Sequence, residues 1–200
     1  AGTLKYPVIS DTEFVYDALP HSPTVEGYIP SAMSIVGTMR EINAGDYKLG
    51  FRLTDTLRYK WENGVADGYQ YDWYISKAVL DKTDLPVQDP ILIYNGSEQS
   101  PSWRNYDVNK LVAGGAITGR NAGEYTAEFS PSVNYTWDDG TAGTVEVPWF
   151  IEKCGIKDLE QINTPYYNGE AKSPQWDYSP DFVSITFSGE TEGVNAREYD

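Results

Sequence analysis

The chain has 200 residues, a formal net charge of −15 and 40% hydrophobic residues, enough for one large or two small globular domains at roughly 100–150 residues each. That acidity excludes nucleic acid as a partner, because phosphate binding needs clustered Lys and Arg, and it equally disfavours an anionic membrane surface. No run of about twenty apolar residues is present, so no membrane-inserted helix is expected.

The apolar residues are mostly of strand type. Sixteen Tyr and six Trp stand against two Met, and aromatic and β-branched side chains favour pleated, half-buried strands. Eighteen Gly and twelve Pro supply the turns that many short strands require. The composition therefore predicts an all-β protein. The opening Ala1-Gly2, with neither Met nor a signal sequence, reads as a processed or excised start.

From the N-terminus, Phe14 to Ile75 carries in order Tyr16, Ser22-Pro23, Gly37, Asn43-Ala44-Gly45, Tyr47, Tyr59, Trp61, Trp73 and Ile75. The same residue types recur from Leu92 to Ile151. Tyr94, Ser100-Pro101, Gly115, Asn121-Ala122-Gly123 and Tyr125 follow at an offset of 78, then Tyr135, Trp137, Trp149 and Ile151 at 76. A third copy opens after Cys154. Tyr167-Asn168-Gly169, Ser173-Pro174-Gln175-Trp176 and Asn195-Ala196-Arg197-Glu198-Tyr199 match Tyr94 to Gly96, Ser100 to Trp103 and Asn121 to Tyr125. Nothing in the sequence corresponds to Thr126 to Ile151 a third time. The predicted organisation is 1–78, 79–154 and a front half at 155–200.

Within the second copy, Ile91 to Tyr94 is a β-branched run closed by the turn pair Asn95-Gly96. Ser102 to Tyr106 and Lys110 to Ala113 are further short strands. Ala127 and Phe129 alternate with Thr126 and Glu128, the period-two pattern of a strand with one wet face. Asp139-Gly140 is a hairpin signal, and Val145, Val147 and Trp149 share a face of the closing strand. About seven strands per copy at this spacing predict a Greek-key β-sandwich.

Asn-Ala-Gly-x-Tyr matches the corner of immunoglobulin-type sandwiches, where a Tyr hydroxyl bonds back to upstream backbone. Asn43, Gly45 and Tyr47, then Asn121, Gly123 and Tyr125, and finally Asn195 and Tyr199 are assigned to it. Asn and Gly also tolerate the positive φ that a corner can require. Two residues after the Tyr stand Leu49 and Ala127 rather than a half-cystine, so Trp61, Trp73, Trp137 and Trp149 are expected to fill the core by packing.

The pattern Tyr-Asn-Gly, Ser-Pro, Asn-Ala-Gly-x-Tyr, Asn-Tyr-x-Trp-x-Asp-Gly-Thr and Trp-x-Ile resembles the bacterial Ig-like repeats related to the MBG type. Such repeats occur in tandem in bacterial surface proteins and in phage structural proteins. The resemblance implies tandem immunoglobulin-like sandwiches with a structural or adhesive role, extracellular on a virion or a bacterial cell surface. It brings no catalytic residues. The first copy departs at Asp17-Ala18 and the third at Arg197.

Other constellations weigh against chemistry. The single His, His21, is replaced by Gln99 in the sister copy, which argues against a general base. No Ser-His-Asp order, His-Glu-x-x-His or phosphate loop is present, and no carboxylate pair stands out from a solvated acidic face. No enzyme and no cofactor are expected. Asp81, Asp84 and Asp89 crowd the linker, and Asp138-Asp139-Gly140 a hairpin tip; they read as an acidic linker, with interdomain calcium as the alternative. Cys154 reads as a small half-buried residue or the partner of an intermolecular disulfide. Tyr69, Tyr71 and Tyr178, lacking equivalents, are the candidates for a carbohydrate- or receptor-binding surface. Asn95-Gly96-Ser97 and Asn134-Tyr135-Thr136 fit the glycosylation pattern. The partial third copy is read as part of a longer chain, as a half-sandwich completed by a strand from another subunit, or as a segment packed otherwise. The expected partners are proteins, through self-assembly or other virion or surface subunits, with a glycan as the alternative.

Overall fold

The computed structural model describes residues 2–64, 69–156, 159–177 and 184–198. These are all-β, with no helix among the described residues. Nine strands come first: β1 (Gly2–Leu4), β2 (Val8–Ser10), β3 (Glu13–Val15), β4 (Thr24–Glu26), β5 (Met33–Gly37), β6 (Gly45–Leu53), β7 (Tyr59–Trp61), β8 (Gln70–Ser76) and β9 (Ala78–Leu80). Then follow β10 (Val87–Gln88), β11 (Leu92–Ile93), β12 (Trp103–Arg104), β13 (Leu111–Gly115), β14 (Gly123–Pro131), β15 (Tyr135–Trp137), β16 (Val145–Glu152), β17 (Glu160–Gln161) and β18 (Trp176–Asp177).

Two four-stranded sheets dominate, in the orders β3-β8-β6-β5 and β11-β16-β14-β13. In each the first strand runs parallel to the last in sequence, Phe14 facing Ile75 and Leu92 facing Ile151. The burial of β8 follows the side-chain period of two: Trp73 and Ile75 are buried while Asp72, Tyr74 and Ser76 are exposed. In β16 the buried residues are Val147, Trp149 and Ile151. Leu49 and Phe51 of β6, and Ala127 and Phe129 of β14, are fully buried as well.

Small ladders flank these sheets. β1 pairs in parallel with β7, Leu4 facing Trp61, and β9 with β15, Leu80 facing Trp137. Three antiparallel pairs, β2–β4, β10–β12 and β17–β18, bring Ile9 to Val25, Gln88 to Trp103 and Gln161 to Trp176. Turn bonds coincide at the expected spacing. Ala32 and Met33 N–H donate to Ile29 O, and Lys110 and Leu111 N–H to Asp107 O.

The chain divides into two compact units. One comprises Ala1–Pro86, Asn105–Gly114 and Glu128–Glu146; the other Val87–Arg104, Gly115–Ala127 and Val147–Asp200. In the first, Ala32, Met33, Leu49, Phe51, Trp61, Trp73 and Ile75 form a continuous buried cluster. Tyr6 closes its edge: its hydroxyl accepts from Phe51 N–H at 2.9 Å and bonds Tyr69 O, while its ring lies 4.7 Å from Trp61. In the second unit, no described residue beyond Ile151 is buried.

Candidate functional site

The tyrosines of the Asn-Ala-Gly-x-Tyr motif sit where their hydroxyls reach back four residues. Tyr47 donates to Asn43 O at 2.7 Å. Tyr125 donates to Asn121 O at 2.8 Å and accepts from Asn121 N–H at 3.1 Å. Each ring lies against the tryptophan of the closing strand, Tyr47 at 4.8 Å from Trp73 and Tyr125 at 4.5 Å from Trp149. Burial raises the Tyr47 hydroxyl above its ordinary value, helped by Glu41 and Asp46. The neutral donor is therefore held across the physiological range.

Those tryptophans end in matching bonds. Trp73 Nε1 donates to Thr38 O at 2.8 Å and Trp149 Nε1 to Ala116 O at 2.6 Å, so each buried indole satisfies its one donor. Trp61 and Trp137 are buried too, and Trp137 Nε1 donates to Gly143 O at 2.8 Å. Neither Asn43 nor Asn121 adopts the positive φ that the motif allows; the left-handed residues near the corners are Gly37 (φ 84°) and Gly115 (φ 68°). A Cβ at Gly37 would lie 2.3 Å from Lys48 O, which is why glycine stands there. Asn195 is described, beside the bridge between Lys172 and Gly193; Tyr199 lies outside the described residues.

A second polar centre joins distant parts of the sequence within the first compact unit. Asn134, only 8% exposed, accepts from Ala44 N–H through Oδ1 at 2.9 Å and donates through Nδ2 to Asn43 Oδ1 at 3.0 Å. Its backbone carbonyl accepts from Ala78 N–H at 3.0 Å. Next to it, Tyr135 meets Tyr16 edge-on with ring centroids 5.3 Å apart. In the sequence Asn134 opens the Asn-Tyr-x-Trp motif and fits the glycosylation pattern, with no sign of this contact. With both side-chain polar atoms bonded and the residue buried, it has no room for a glycan. Its counterpart at the 76-residue offset is Arg58, so comparing the copies gives no signal for this contact.

The remaining candidates are placed as follows. His21 Nε2 lies 2.8 Å from Asp17 Oδ1 and the ring stacks on Phe14 at 4.6 Å. The Asp17 carboxyl is lowered chiefly by the Leu19 N–H and secondarily by His21, so this pair braces a loop. At the equivalent place Gln99 Nε2 donates to Ile93 O. Asp81 accepts from Thr83, Asp84 from Asn105, and Asp89 pairs with Arg104 at 3.3 Å. Asp139 binds Lys82 at 2.7 Å and Thr141 at 2.9 and 2.6 Å, and these hold its carboxyl well below the usual range. Among the described residues, no group of three or more His, Cys, Asp or Glu could hold a metal ion. Cys154 is free and half-buried.

Of the unmatched tyrosines, Tyr69 is 61% exposed. Tyr71 bonds Pro7 O at 2.8 Å, and Tyr178 lies outside the described residues. Exposed aromatic surface is concentrated near the C-terminus. There Tyr166, Tyr167, Trp176 and Phe187 line an open cavity of about 860 Å³, with Trp176 and Phe187 stacked at 6.3 Å.

No protein-family model and no curated protein sequence matches this chain.

Proposed function

We propose that this chain is a non-enzymatic structural or adhesive protein built from tandem immunoglobulin-like Greek-key sandwiches related to the MBG type. The repeats are 1–78 and 79–154, with the front half of a third at 155–200. It works outside the cell, on a phage virion or a bacterial surface, through contacts with other protein subunits. The observation that carries this reading is the recurrence of whole contact sets at fixed offsets: Tyr hydroxyl to Asn carbonyl, ring on Trp, and indole to Thr38 or Ala116. The conspicuous polar and aromatic residues of the first two segments hold backbone in place, which is what a spacer requires.

The exposed apolar surface of 155–200 fits assembly by strand complementation. In the first two segments the strand facing Tyr16 or Tyr94 comes from the back half, where Tyr16 N–H donates to Ser76 O and Tyr94 N–H to Glu152 O. Among the described residues of 155–200 no strand pairs at the equivalent Tyr167, and an open sheet edge recruits one. Negative-stain microscopy tests this. Regular particles or fibres are expected, and isolated rods at every concentration would count against assembly.

A second reading, a carbohydrate-binding module, is favoured by one observation: Tyr166, Tyr167 and Trp176 line an open cavity, and aromatic faces stack on sugar rings. A glycan array separates the two, the structural role predicting no hits.

A further inference from the structure

The first corner shows a completed joint, with the Ala44 N–H and the Asn43 Oδ1 both satisfied by Asn134. The second corner presents the same groups. Asn121 and Ala122 stand for Asn43 and Ala44, and the Tyr125 hydroxyl grips the Asn121 backbone from both its N–H and its carbonyl. Yet among the described residues the Ala122 N–H and the Asn121 side chain make no hydrogen bond. An open cavity of about 390 Å³ borders this corner, walled by Ile91, Ala122, Gly123, Glu124 and Phe150. Ile91 and Phe150 are exposed on its rim.

The chemistry of the occupant follows from the filled corner. It must offer one acceptor and one donor side by side, to take the Ala122 N–H and give to Asn121 Oδ1. A carboxamide does both. A carboxylate has no donor for Asn121 Oδ1 in the orientation that Asn43 holds, and a guanidinium has no acceptor. Arg58, at the place of Asn134 in the first segment, is exposed and pairs with Asp55 at 3.3 Å. The aromatic after Asn134 adds the ring contact to Tyr16, so the fitting ligand is an Asn-aromatic turn leading into a strand.

We propose that the Asn121–Ala122 corner is a docking site for the asparagine-bearing turn of a further immunoglobulin-like repeat, held by the same two hydrogen bonds that join Asn134 to Asn43 and Ala44. This rests on the tandem-repeat reading above and adds a rule to it. Asparagine at the turn before the Tyr-x-Trp strand marks a repeat that seats on the corner of another; arginine marks one that does not.

The test completes the third repeat. Residues 127–154 are appended after Asp200, which stands at the place of Thr126, and amide exchange is followed in the extended chain. The expected result is that the appended strands gain protection and the Ala122 amide slows by about tenfold, the worth of one hydrogen bond. The same extended chain with Asn134→Ala in the appended copy should lose the Ala122 effect and keep the strands. If the appended strands are protected while Ala122 exchanges as in the 200-residue chain, the docking site is wrong and the repeat reading stands. If the appended strands gain no protection, the repeat reading falls and the docking site falls with it.

Discussion

Two stretches with matching sequence behave differently. In 79–154 the Ser-Pro-Ser-Trp and Asn-Ala-Gly-x-Tyr motifs are accompanied by buried Phe129, Trp137, Trp149 and Ile151. In 155–200 the same front motifs occur, and much of their local geometry with them. Asn168 Oδ1 accepts from Glu170 N–H as Asn95 Oδ1 does from Ser97 N–H. Gly169 and Gly96 share a left-handed φ near 80°, and Glu160 faces Asp177 as Val87 faces Arg104. Still, Trp176 and Phe187 remain exposed. Turns and hairpins are local chemistry, whereas among the described residues a buried core accompanies the Trp-bearing back strands.

The largest test of that contrast is Trp149→Ala against Trp176→Ala. Emptying the fully buried Trp149 site should cost about 3–5 kcal/mol in urea unfolding. Truncating the exposed Trp176 should change stability by less than about 1 kcal/mol. Equal effects would mean that the third segment has a core of its own.

Next comes Asn134→Ala, which strands the Ala44 N–H and should cost roughly 1–3 kcal/mol. Arg58→Ala should be near neutral, because the Arg58–Asp55 pair is exposed. Tyr47→Phe removes one hydroxyl bond and Tyr125→Phe two at the same Asn, and each should lose about 1 kcal/mol. Similar losses would sharpen the likeness of the two corners; a null result at one would break it.

Smaller still is the turn where the first two segments differ. Ala18 sits at φ 65° where the second segment has Gly96 at 79°. Ala18→Gly removes a left-handed alanine and should stabilise by roughly 0.5 kcal/mol, with Gly96→Ala doing the reverse.

The smallest effect concerns acid. Asp139 has its carboxyl depressed by Lys82 and Thr141. A depressed folded value means stability that is present above the ordinary carboxylate range and lost as pH falls. The difference between the wild type and Asp139→Asn should therefore shrink below about pH 4, measured by thermal unfolding at several pH values.

Much of this was legible in the residues. The offsets of 78 and 76 run through strands of both four-stranded sheets, and period two located buried faces of β14 and β16. Three things were not. The edge strands β1 and β9 are three residues each and barely alternate, so their parallel pairing to β7 and β15 leaves no pattern. The first hairpin is one residue out of step, Val8 and Glu26 corresponding to Val87 and Arg104, a shift hidden in a loop. The contact made by Asn134 left no signal because its partners lie 90 and 91 residues away and its counterpart is Arg58. The motif tyrosines and tryptophans bond nearer along the chain and recur at the offsets; Asn134 bonds far along the chain and does not.

The parallel pairing of β3 with β8 and of β11 with β16 also sets how the chain would answer to tension. Pulling on the two ends of such a segment slides the paired strands past each other along their length. Their hydrogen bonds are then loaded together and must break as a set, whereas a hairpin pulled at its mouth opens one bond at a time. The barrier to forced unfolding governs survival under load, so this parallel pairing would raise resistance to a pull along the strands.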